Sequence, residues 1–321
     1  MTKDIALNAL TQPLITQLGG SNVADLVAAQ KKSNAAFFSS SGIAALRRFN
    51  QVLCRIAPGA AAVFARRLIG TPPRHAPRKW EVELIDSAAR STVIVGRRTI
   101  PVAAWGQGPT VLLVHSWGGR GTQMGRFVEP LVAAGYRVVS FDLPAHGGAG
   151  VGETDMVECA AAVAAVVEAQ HASGHELSAV IAHSFGVMTT LLASREYGFA
   201  IPKLVSIGAF ESCRWFVDAA QTHLQLSDDV AARLRDNFEV RHGYRITWDK
   251  LSVVEMLRFS RARALVIHDR FDREIPYEHS YSLRRLGERV DHFPTVGLGH
   301  RRILGDAAVI ACSVAHVSRL S

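Results

Sequence analysis

The sequence predicts an α/β fold with a mostly parallel central sheet that is flanked by helices. From residue 80 onward, short apolar runs alternate with segments of helical periodicity. Strands that are apolar on both faces are typical of a sheet covered on both sides. The first three predicted strands have no helix between them, which favours an antiparallel edge. The predicted strands are 81–86, 91–95, 99–104, 110–115, 136–142, 178–183, 203–210, 264–269 and 290–296.

One interval breaks the alternation of strands and helices. About fifty residues, 211–260, separate two predicted strands, which is too long for a bare loop in a compact domain. Their helical content, with Ser227 and Asp228 at a helix start, predicts a small helical cap. We expect it above the strand ends, where open α/β sheets bind ligands, and a helix pair packed elsewhere is the alternative. The other predicted helices are 121–134, 154–171, 185–196, 277–287 and 304–319.

Residues 1–79 are predicted to form an N-terminal helical extension and linker, ahead of a catalytic domain over residues 80–321. A second helix is expected from Pro58 to Leu68, and the proline-rich stretch 71–79 cannot continue it. The preceding helix is amphipathic, because apolar residues recur at three- and four-residue spacing. These residues are Ile43, Leu46, Phe49, Leu53 and Ile56.

The basic character of the chain is concentrated near its N-terminus. The formal net charge is +8, with +9 on residues 1–101 and −1 on residues 102–321. The charge therefore does not argue for an acidic substrate in the catalytic domain. It leaves open that residues 43–70 contact an anionic membrane surface or a second subunit, although packing on the catalytic domain explains the apolar stripe more simply. Nucleic-acid binding is not expected, because no binding motif accompanies the basic residues.

Cysteine usage and hydropathy indicate a soluble protein in the cytoplasm. The four cysteines are scattered, without a CxxC pair or metal-ligand spacing, so we expect free thiols. No apolar stretch reaches the roughly 20 residues that a bilayer helix needs, and the N-terminus does not resemble a signal peptide. The cysteines are Cys54, Cys159, Cys213 and Cys312.

A serine stands at a predicted strand-to-helix turn. The sequence Ala182-His183-Ser184-Phe185-Gly186 follows an apolar strand and opens a helix. Such a turn needs small residues two positions before and after the serine, because the strand and helix backbones nearly touch there. It holds the serine in a strained conformation, with its hydroxyl projecting and its surroundings open. Ser184 is therefore the candidate nucleophile.

A serine hydroxyl needs an adjacent base to act as a nucleophile at neutral pH. His300 lies in a glycine-rich loop after the last predicted strand, and Asp272 follows the preceding strand by a short loop. The order Ser184, Asp272, His300 matches the serine–acid–histidine order of one hydrolase fold. Asp269 is the rival acid, but it lies at the strand end itself. We expect the loop to project Asp272 further toward the crevice.

An acyl-transfer site also needs hydrogen-bond donors for the oxyanion. The turn Ser116-Trp117-Gly118-Gly119 follows a predicted strand. We predict that the backbone amides of Trp117 and Phe185 form the oxyanion hole.

These motifs together resemble the α/β-hydrolase superfamily over roughly residues 80–320, in particular bacterial members with an HGW-type turn. The resemblance implies the triad and oxyanion roles given above, and Ser116 replaces the glycine usual after the first histidine. A serine at the elbow disfavours the dehalogenase and epoxide hydrolase chemistry for which similar folds use aspartate. The motifs are HSWGGR (115–120), DLPAHG (142–147), AHSFG (182–186), HDRFDREIP (268–276) and GLGHRRIL (297–304).

The resulting functional hypothesis is hydrolysis of a small to medium acyl ester or thioester. An acyltransferase or peptidase on the same triad, and a non-catalytic binding protein, remain alternatives. No cofactor or metal is expected, because nucleotide-binding glycine motifs and HExxH are absent from the sequence. We expect Asp142 to orient a turn, and His115, His146 and His183 to be structural or to line the pocket.

Overall fold

A computed structural model describes residues 41–319 of the chain. The described residues from Arg47 onward belong to one compact unit, and residues 41–46 belong to another. Two helices come first, α1 (Ser41–Ile56) and α2 (Pro58–Gly70). Helix α2 begins with a proline, whose missing N–H costs no helical hydrogen bond at that position.

The central sheet has eight strands in the order β1-β2-β4-β3-β5-β6-β7-β8. Strand β2 pairs antiparallel with both β1 and β4, and every pair from β4 through β3 to β8 is parallel. The predicted parallel sheet with an antiparallel edge is therefore confirmed. The strands are β1 (Ala89–Val95), β2 (Arg98–Trp105), β3 (Thr110–Val114), β4 (Arg137–Phe141), β5 (Leu177–His183), β6 (Lys203–Ile207), β7 (Arg263–Asp269) and β8 (Val290–Thr295).

Helices cover both faces of this sheet. Successive side chains of a strand point to opposite faces, so Leu112 and Val114 of β3 enter one core while Val111 and Leu113 enter the other. All four residues are fully buried, as expected for a central strand. The covering helices are α4 (Val128–Ala133), α5 (Met156–Ala172), α6 (Phe185–Tyr197), α10 (His279–Arg284), α11 (Gly299–Arg302) and α12 (Ala307–Ser318).

The interval at residues 211–260, called here the helical insertion, contains α7 (Cys213–Leu224), α8 (Asp228–Arg241) and α9 (Val253–Ser260). Serine hydroxyls at Ser212, Ser227 and Ser252 accept backbone N–H groups at the starts of the three helices. The predicted helix start at Ser227 and Asp228 is confirmed. The start of the insertion pairs with the residue that precedes α9, since Ser212 and Ser252 form an isolated bridge.

Helix α2 packs on the helical insertion. Its buried alanines Ala61, Ala62 and Ala65 contact Val230 and Leu234 of α8 in a small apolar core. Small side chains allow the two helix axes to approach closely, so the contact is made largely by the α8 side chains.

The predicted strand at 81–86 is wrong, because this segment is helix α3 (Lys79–Asp86). Trp80 and Leu84 lie four residues apart, the spacing of one helix face, and both face the turn at Gly125. Glu81 is buried and paired with Arg120. Glu81 is therefore a partner inside the protein and not a solvated surface charge.

None of the helices within residues 41–319 is long and apolar enough to cross a membrane.

Candidate active site

Ser184 occupies a strained turn between β5 and α6. Its backbone has φ 53° and ψ −116°, a positive-φ conformation that is rare for a residue with a side chain. The Ser184 amide donates to the Ile207 carbonyl at 2.8 Å, which ties the turn to the end of the neighbouring strand β6. Only 7% of the residue's surface is exposed. The turn thus holds a serine at the carboxyl edge of the sheet.

Gly186 allows the strand and helix at this turn to approach. A Cβ atom built on Gly186 would lie 2.5 Å from the Val114 carbonyl oxygen and 2.7 Å from that of His115. Both oxygens are backbone atoms of the adjacent strand β3 and its exit, so they cannot move aside as a side chain would. A glycine is required here for steric reasons.

His300 and Asp272 form a buried pair at the same edge. The His300 Nδ1 and Asp272 Oδ2 atoms are 2.6 Å apart. Asp272 Oδ1 accepts the amides of Glu274 and Ile275 at 2.8 and 2.9 Å, which fixes the carboxylate plane. Burial by itself would raise the pKa of Asp272, but the adjacent His268 and the hydrogen bond from His300 outweigh burial and hold that pKa well below its usual range. An ionised Asp272 requires the proton of His300 on Nδ1, which leaves Nε2 free to accept a proton.

His183 joins the serine turn to His300. The two imidazole rings are 4.6 Å apart between centroids, and His183 Nε2 donates to the His300 carbonyl oxygen at 2.9 Å. Burial and the neighbouring His300 keep the pKa of His183 well below its ordinary value, so the ring is neutral. The Ser184 hydroxyl makes no hydrogen bond to His300 within the described chain. The structure thus brings the serine turn and the His300–Asp272 pair to one place without a hydrogen bond between them.

The two candidate acids have different partners. Asp269 Oδ2 accepts the Thr295 hydroxyl at 2.8 Å and the Leu298 amide at 3.0 Å. Those bonds anchor the segment that leads into α11, and His300 lies in that short helix and not in the predicted loop, whereas Asp272 contacts the imidazole itself. The sequence did not indicate that His268 Nε2 lies 3.4 Å from Asp272 Oδ2 while donating to the Ile275 carbonyl at 3.1 Å.

The Trp117 amide lies in the turn after β3, and the Phe185 amide lies at the start of α6. Neither N–H donates to an acceptor within residues 41–319, and the two aromatic rings meet edge to face at 5.1 Å. His115 fixes this turn, because its Nε2 accepts the Leu143 amide at 2.9 Å while its Nδ1 lies 2.8 Å from the Ser116 carbonyl. Burial lowers the pKa of His115 to about 4, so the ring is neutral and Nδ1 is its donor.

Asp142 holds the loop that faces this turn. Its two oxygens accept the amides of Gly121 and Gly148 at 2.8 and 2.7 Å, in agreement with the predicted turn-orienting role. Burial raises the pKa of Asp142. His146 packs edge to face against His115 and Trp117, with ring centroids 5.2 and 5.0 Å away.

A mainly apolar cavity of about 110 Å³ opens beside the serine turn. Trp117 and Phe185, the two candidate oxyanion residues, line it. Further walls come from the helical insertion, from Met156 at the start of α5 and from Ile69 at the end of α2. The insertion contributes Cys213, Phe216, Val217, Leu234, Phe238, Arg241 and Trp248.

The part of the chain that the structure describes offers no group of three or more His, Cys, Asp or Glu residues that could hold a metal ion. All four cysteines are free thiols.

Comparison with known proteins agrees with this fold. A family model described as "alpha/beta hydrolase fold" matches residues 109–246. The chain has the α/β-hydrolase fold. The match includes Ser184, Trp117 and Phe185, and it ends before Asp272 and His300. None of the curated proteins matches the sequence.

Solved structures share this α/β-hydrolase fold at low sequence identity. An esterase from Pyrococcus furiosus is 16% identical, with a TM-score of 0.57, over 77% of this chain and 96% of that one. An esterase from Exiguobacterium antarcticum is 17% identical, with a TM-score of 0.55, over 72% and 100%. A serine hydrolase from the polyaromatic hydrocarbon-degrading bacterium Cycloclasticus zankles is 17% identical, with a TM-score of 0.50, over 71% and 97%. At these identities the likeness shows the fold alone.

Sequence reasoning missed three features of this site. Gly208 directly follows β6 and has φ 59°. Its backbone lies against the His300–Asp272 pair, since an added Cβ would lie 3.3 Å from two His300 ring atoms. His268 contacts Asp272, a contact that their four-residue spacing across a strand end does not reveal. Ile69 lines the cavity although it belongs to the segment predicted as an extension. The glycine could have been noticed at a strand end, but the other two contacts are purely tertiary.

Proposed function

We propose that this chain is a serine hydrolase that cleaves a carboxylic ester or thioester through an acyl-enzyme on Ser184. One observation carries the proposal: a serine with φ 53° stands at a strand-to-helix turn beside a buried His300–Asp272 pair joined at 2.6 Å. A positive φ is costly for serine, and such strain is concentrated at functional sites, where the surrounding structure holds the residue in place. The esterase and serine hydrolase names of the similar structures accord with this chemistry.

In the first half-reaction, His300 Nε2 takes the Ser184 hydroxyl proton as the oxygen attacks the substrate carbonyl carbon. Asp272 accepts the Nδ1–H bond and stabilises the imidazolium that forms. The amides of Trp117 and Phe185 donate to the developing oxyanion. The bond to the leaving alcohol or thiol then breaks, and His300 returns the proton to that group.

In the second half-reaction, His300 accepts a proton from water, which attacks the acyl-enzyme carbonyl. The tetrahedral intermediate collapses, the acid is released and Ser184 regains its proton from His300. We assign the helical insertion the role of a cap that shields this site, because it lines the cavity beside the serine. The Ser184 hydroxyl must first rotate toward the His300 imidazole. We expect this hydrogen bond to form when substrate binds, because catalytic hydrogen bonds are often long before the substrate is present.

Labelling with an active-site-directed fluorophosphonate tests the proposal. We expect one adduct, which peptide mapping places on Ser184, and its loss in Ser184→Ala and His300→Ala. Circular dichroism of both variants shows whether they are folded. An adduct on another residue, or none on the folded wild-type protein, would overturn the assignment and favour a non-catalytic binding role.

An acyltransferase or a peptidase on the same residues is the alternative within enzymes. Partitioning of the acyl group distinguishes the transferase, because a hydrolase forms mainly free acid when an alcohol or amine is added in excess. A peptidase would also hydrolyse the amide of the same acid at a measurable rate, whereas an esterase would cleave only the ester.

A docking role for residues 43–70 is a separate proposal. Phe49, Val52 and Ile56 of helix α1 are 51%, 56% and 75% exposed, and the exposed Arg48 and Arg55 lie on the same helix. Exposed apolar groups beside arginines suit an anionic membrane surface. Co-sedimentation with vesicles of anionic lipid tests it: Ile56→Ser should reduce binding, whereas equal binding would contradict a membrane contact. A self-association that the same variant abolishes would assign the face to a second subunit.

A further inference from the structure

The cavity beside Ser184 is completed by residues that lie outside the region matched by the family model. We propose that helix α2 is part of the acyl-binding site and that Ile69 limits the length of the acyl chain. The site would take an unbranched, uncharged acyl group of about four to six carbons. The identification of the occupant as an acyl group rests on the proposed function.

The cavity suits an uncharged chain because its walls are apolar and its charges are paired. Phe210, Phe216 and Phe238 belong to its lining, as does Ile69. The charged side chains in the lining have partners: Arg66 pairs with Glu153, and the Arg241 Nη1 and Asp155 Oδ2 atoms are 3.7 Å apart. A charged tail would therefore lose its hydration without gaining an unpaired counter-ion.

Helix α2 is held in place from two sides. Its alanine face packs on α8 of the helical insertion, through Ala65 among others. At its C-terminal end, the Gly70 carbonyl accepts the Thr154 amide at 2.8 Å. Arg66 pairs with Glu153 on the same loop. Residues so anchored can form a fixed wall of a binding site.

The size of the cavity sets the length of the chain. Its volume is about 110 Å³. An engineered apolar cavity of about 150 Å³ binds benzene, a molecule of six carbons. By proportion the present cavity takes about four carbons beyond those held at the serine, hence the limit near hexanoyl.

Binding measurements in a Ser184→Ala background test the wall without requiring turnover. Calorimetric titration with methyl acetate, butyrate, hexanoate and octanoate would give affinity as a function of chain length. Each buried methylene contributes about fourfold in affinity. We expect affinity to rise to hexanoate and then to stop rising. A series without length dependence would overturn the proposal.

Two opposite substitutions at Ile69 give the decisive comparison. Ile69→Ala should extend the rise to octanoate, increasing the octanoate-to-hexanoate ratio about tenfold. Ile69→Trp should end the rise at butyrate. Leu68→Ala is the matched control, because Leu68 is on the same helix, 41% exposed and outside the cavity lining, and it should reproduce the parent series. A general loss of folding cannot produce two shifts in opposite directions.

The outcomes separate this inference from the proposed function. In the Ser184 protein, kcat/KM for p-nitrophenyl esters should follow the same shifts in chain length. Shifts in the chain-length dependence of binding without fluorophosphonate labelling would support the role of Ile69 and overturn the proposed hydrolase function. Labelling of Ser184 together with chain-length profiles that neither Ile69 variant changes would support the proposed hydrolase function and overturn the role of Ile69.

Discussion

At the scale of single residues, two aspartates three positions apart have different roles. Asp272 contacts the His300 imidazole, whereas Asp269 accepts the Thr295 hydroxyl and the Leu298 amide. Both carboxyl groups are buried, so neither is a solvated surface charge. Their roles follow from their positions along the chain, because Asp269 is the last residue of β7 and Asp272 lies in the turn beyond it.

Asp272→Asn should reduce kcat/KM by roughly 10³–10⁴-fold, because an amide cannot hold the proton of His300 on Nδ1 as a carboxylate does. Serine proteases lose activity on this order when the aspartate of their triad becomes asparagine, which is the basis of the expected size. The measurement is ester hydrolysis under saturating and limiting substrate.

Asp269→Asn is the control for that substitution. It weakens charge-assisted hydrogen bonds in a buried loop, so we expect a loss of about 1–3 kcal/mol in the free energy of unfolding. Catalysis should fall by less than about tenfold in this variant, since Asp272, the proposed triad acid, is retained. Equal catalytic losses in the two variants would show that Asp272 has no special role.

At the scale of elements, the close approach of β3 to the start of α6 determines where the serine stands. The two small residues around Ser184 are not equivalent in this respect. A Cβ atom added to Gly186 would lie 2.5 and 2.7 Å from backbone oxygens, whereas Ala182 is a fully buried strand residue that already carries a methyl group. An alanine in place of glycine two residues before Ser184 therefore fits in the core without displacing the turn.

Gly186→Ala should destabilise the protein by about 1–3 kcal/mol or more, because the added methyl group overlaps backbone atoms. Ala182→Gly, the matched change, should cost only about 0.5–1 kcal/mol, from the flexibility of glycine in a strand. Urea unfolding of the two variants measures both values. A Gly186→Ala protein as stable as the wild type would mean that strand and helix separate more easily than the geometry indicates.

At the scale of the whole molecule, the sheet edge gathers several buried histidines that are uncharged. Burial lowers the pKa of His115 to about 4 and, together with the neighbouring His115, that of His146 to about 3. The pKa of His183 lies well below its ordinary value, chiefly because of burial. Each of these rings is neutral in the folded protein, so protonation opposes folding.

The free energy of unfolding should therefore fall as the pH drops below about 6.5, the ordinary pKa of histidine. The pKa of His115 is about 4 in the folded protein and returns to about 6.5 on unfolding. Between these two pH values the unfolded chain binds a proton that the folded protein does not, so the stabilisation from neutral His115 is fully present only above about pH 6.5. Each such histidine contributes about 1.4 kcal/mol per pH unit. Urea unfolding at a series of pH values measures the slope.

His115→Gln should reduce that slope by up to one proton, whatever its effect on stability at neutral pH. His171→Gln is the control, because the His171 side chain is 64% exposed, and it should leave the slope unchanged. Identical slopes in wild type and His115→Gln would contradict the buried neutral state of His115.

Much of the fold and part of the site could be predicted from order and periodicity. Eight of the nine predicted strands are present, since buried strands carry their apolar pattern in the local sequence. The exception, 81–86, is a helix whose Glu81 is paired inside the protein, and a buried ion pair has no local signature. The strand-to-helix turn at Ser184 could be predicted because the small residues that it needs, Ala182 and Gly186, are close neighbours of Ser184 in the sequence.

The sequence by itself determined the parallel sheet, the helical insertion and the residues Ser184, Asp272 and His300 as candidates, because each depends on spacing along the chain. Only the tertiary structure decided that Asp272 rather than Asp269 contacts His300, since both lie near the end of the same strand. It alone placed His268 against Asp272 and Ile69 in the cavity wall. Such contacts join residues through the packing of separate elements, and packing between distant segments leaves no periodic trace in either one.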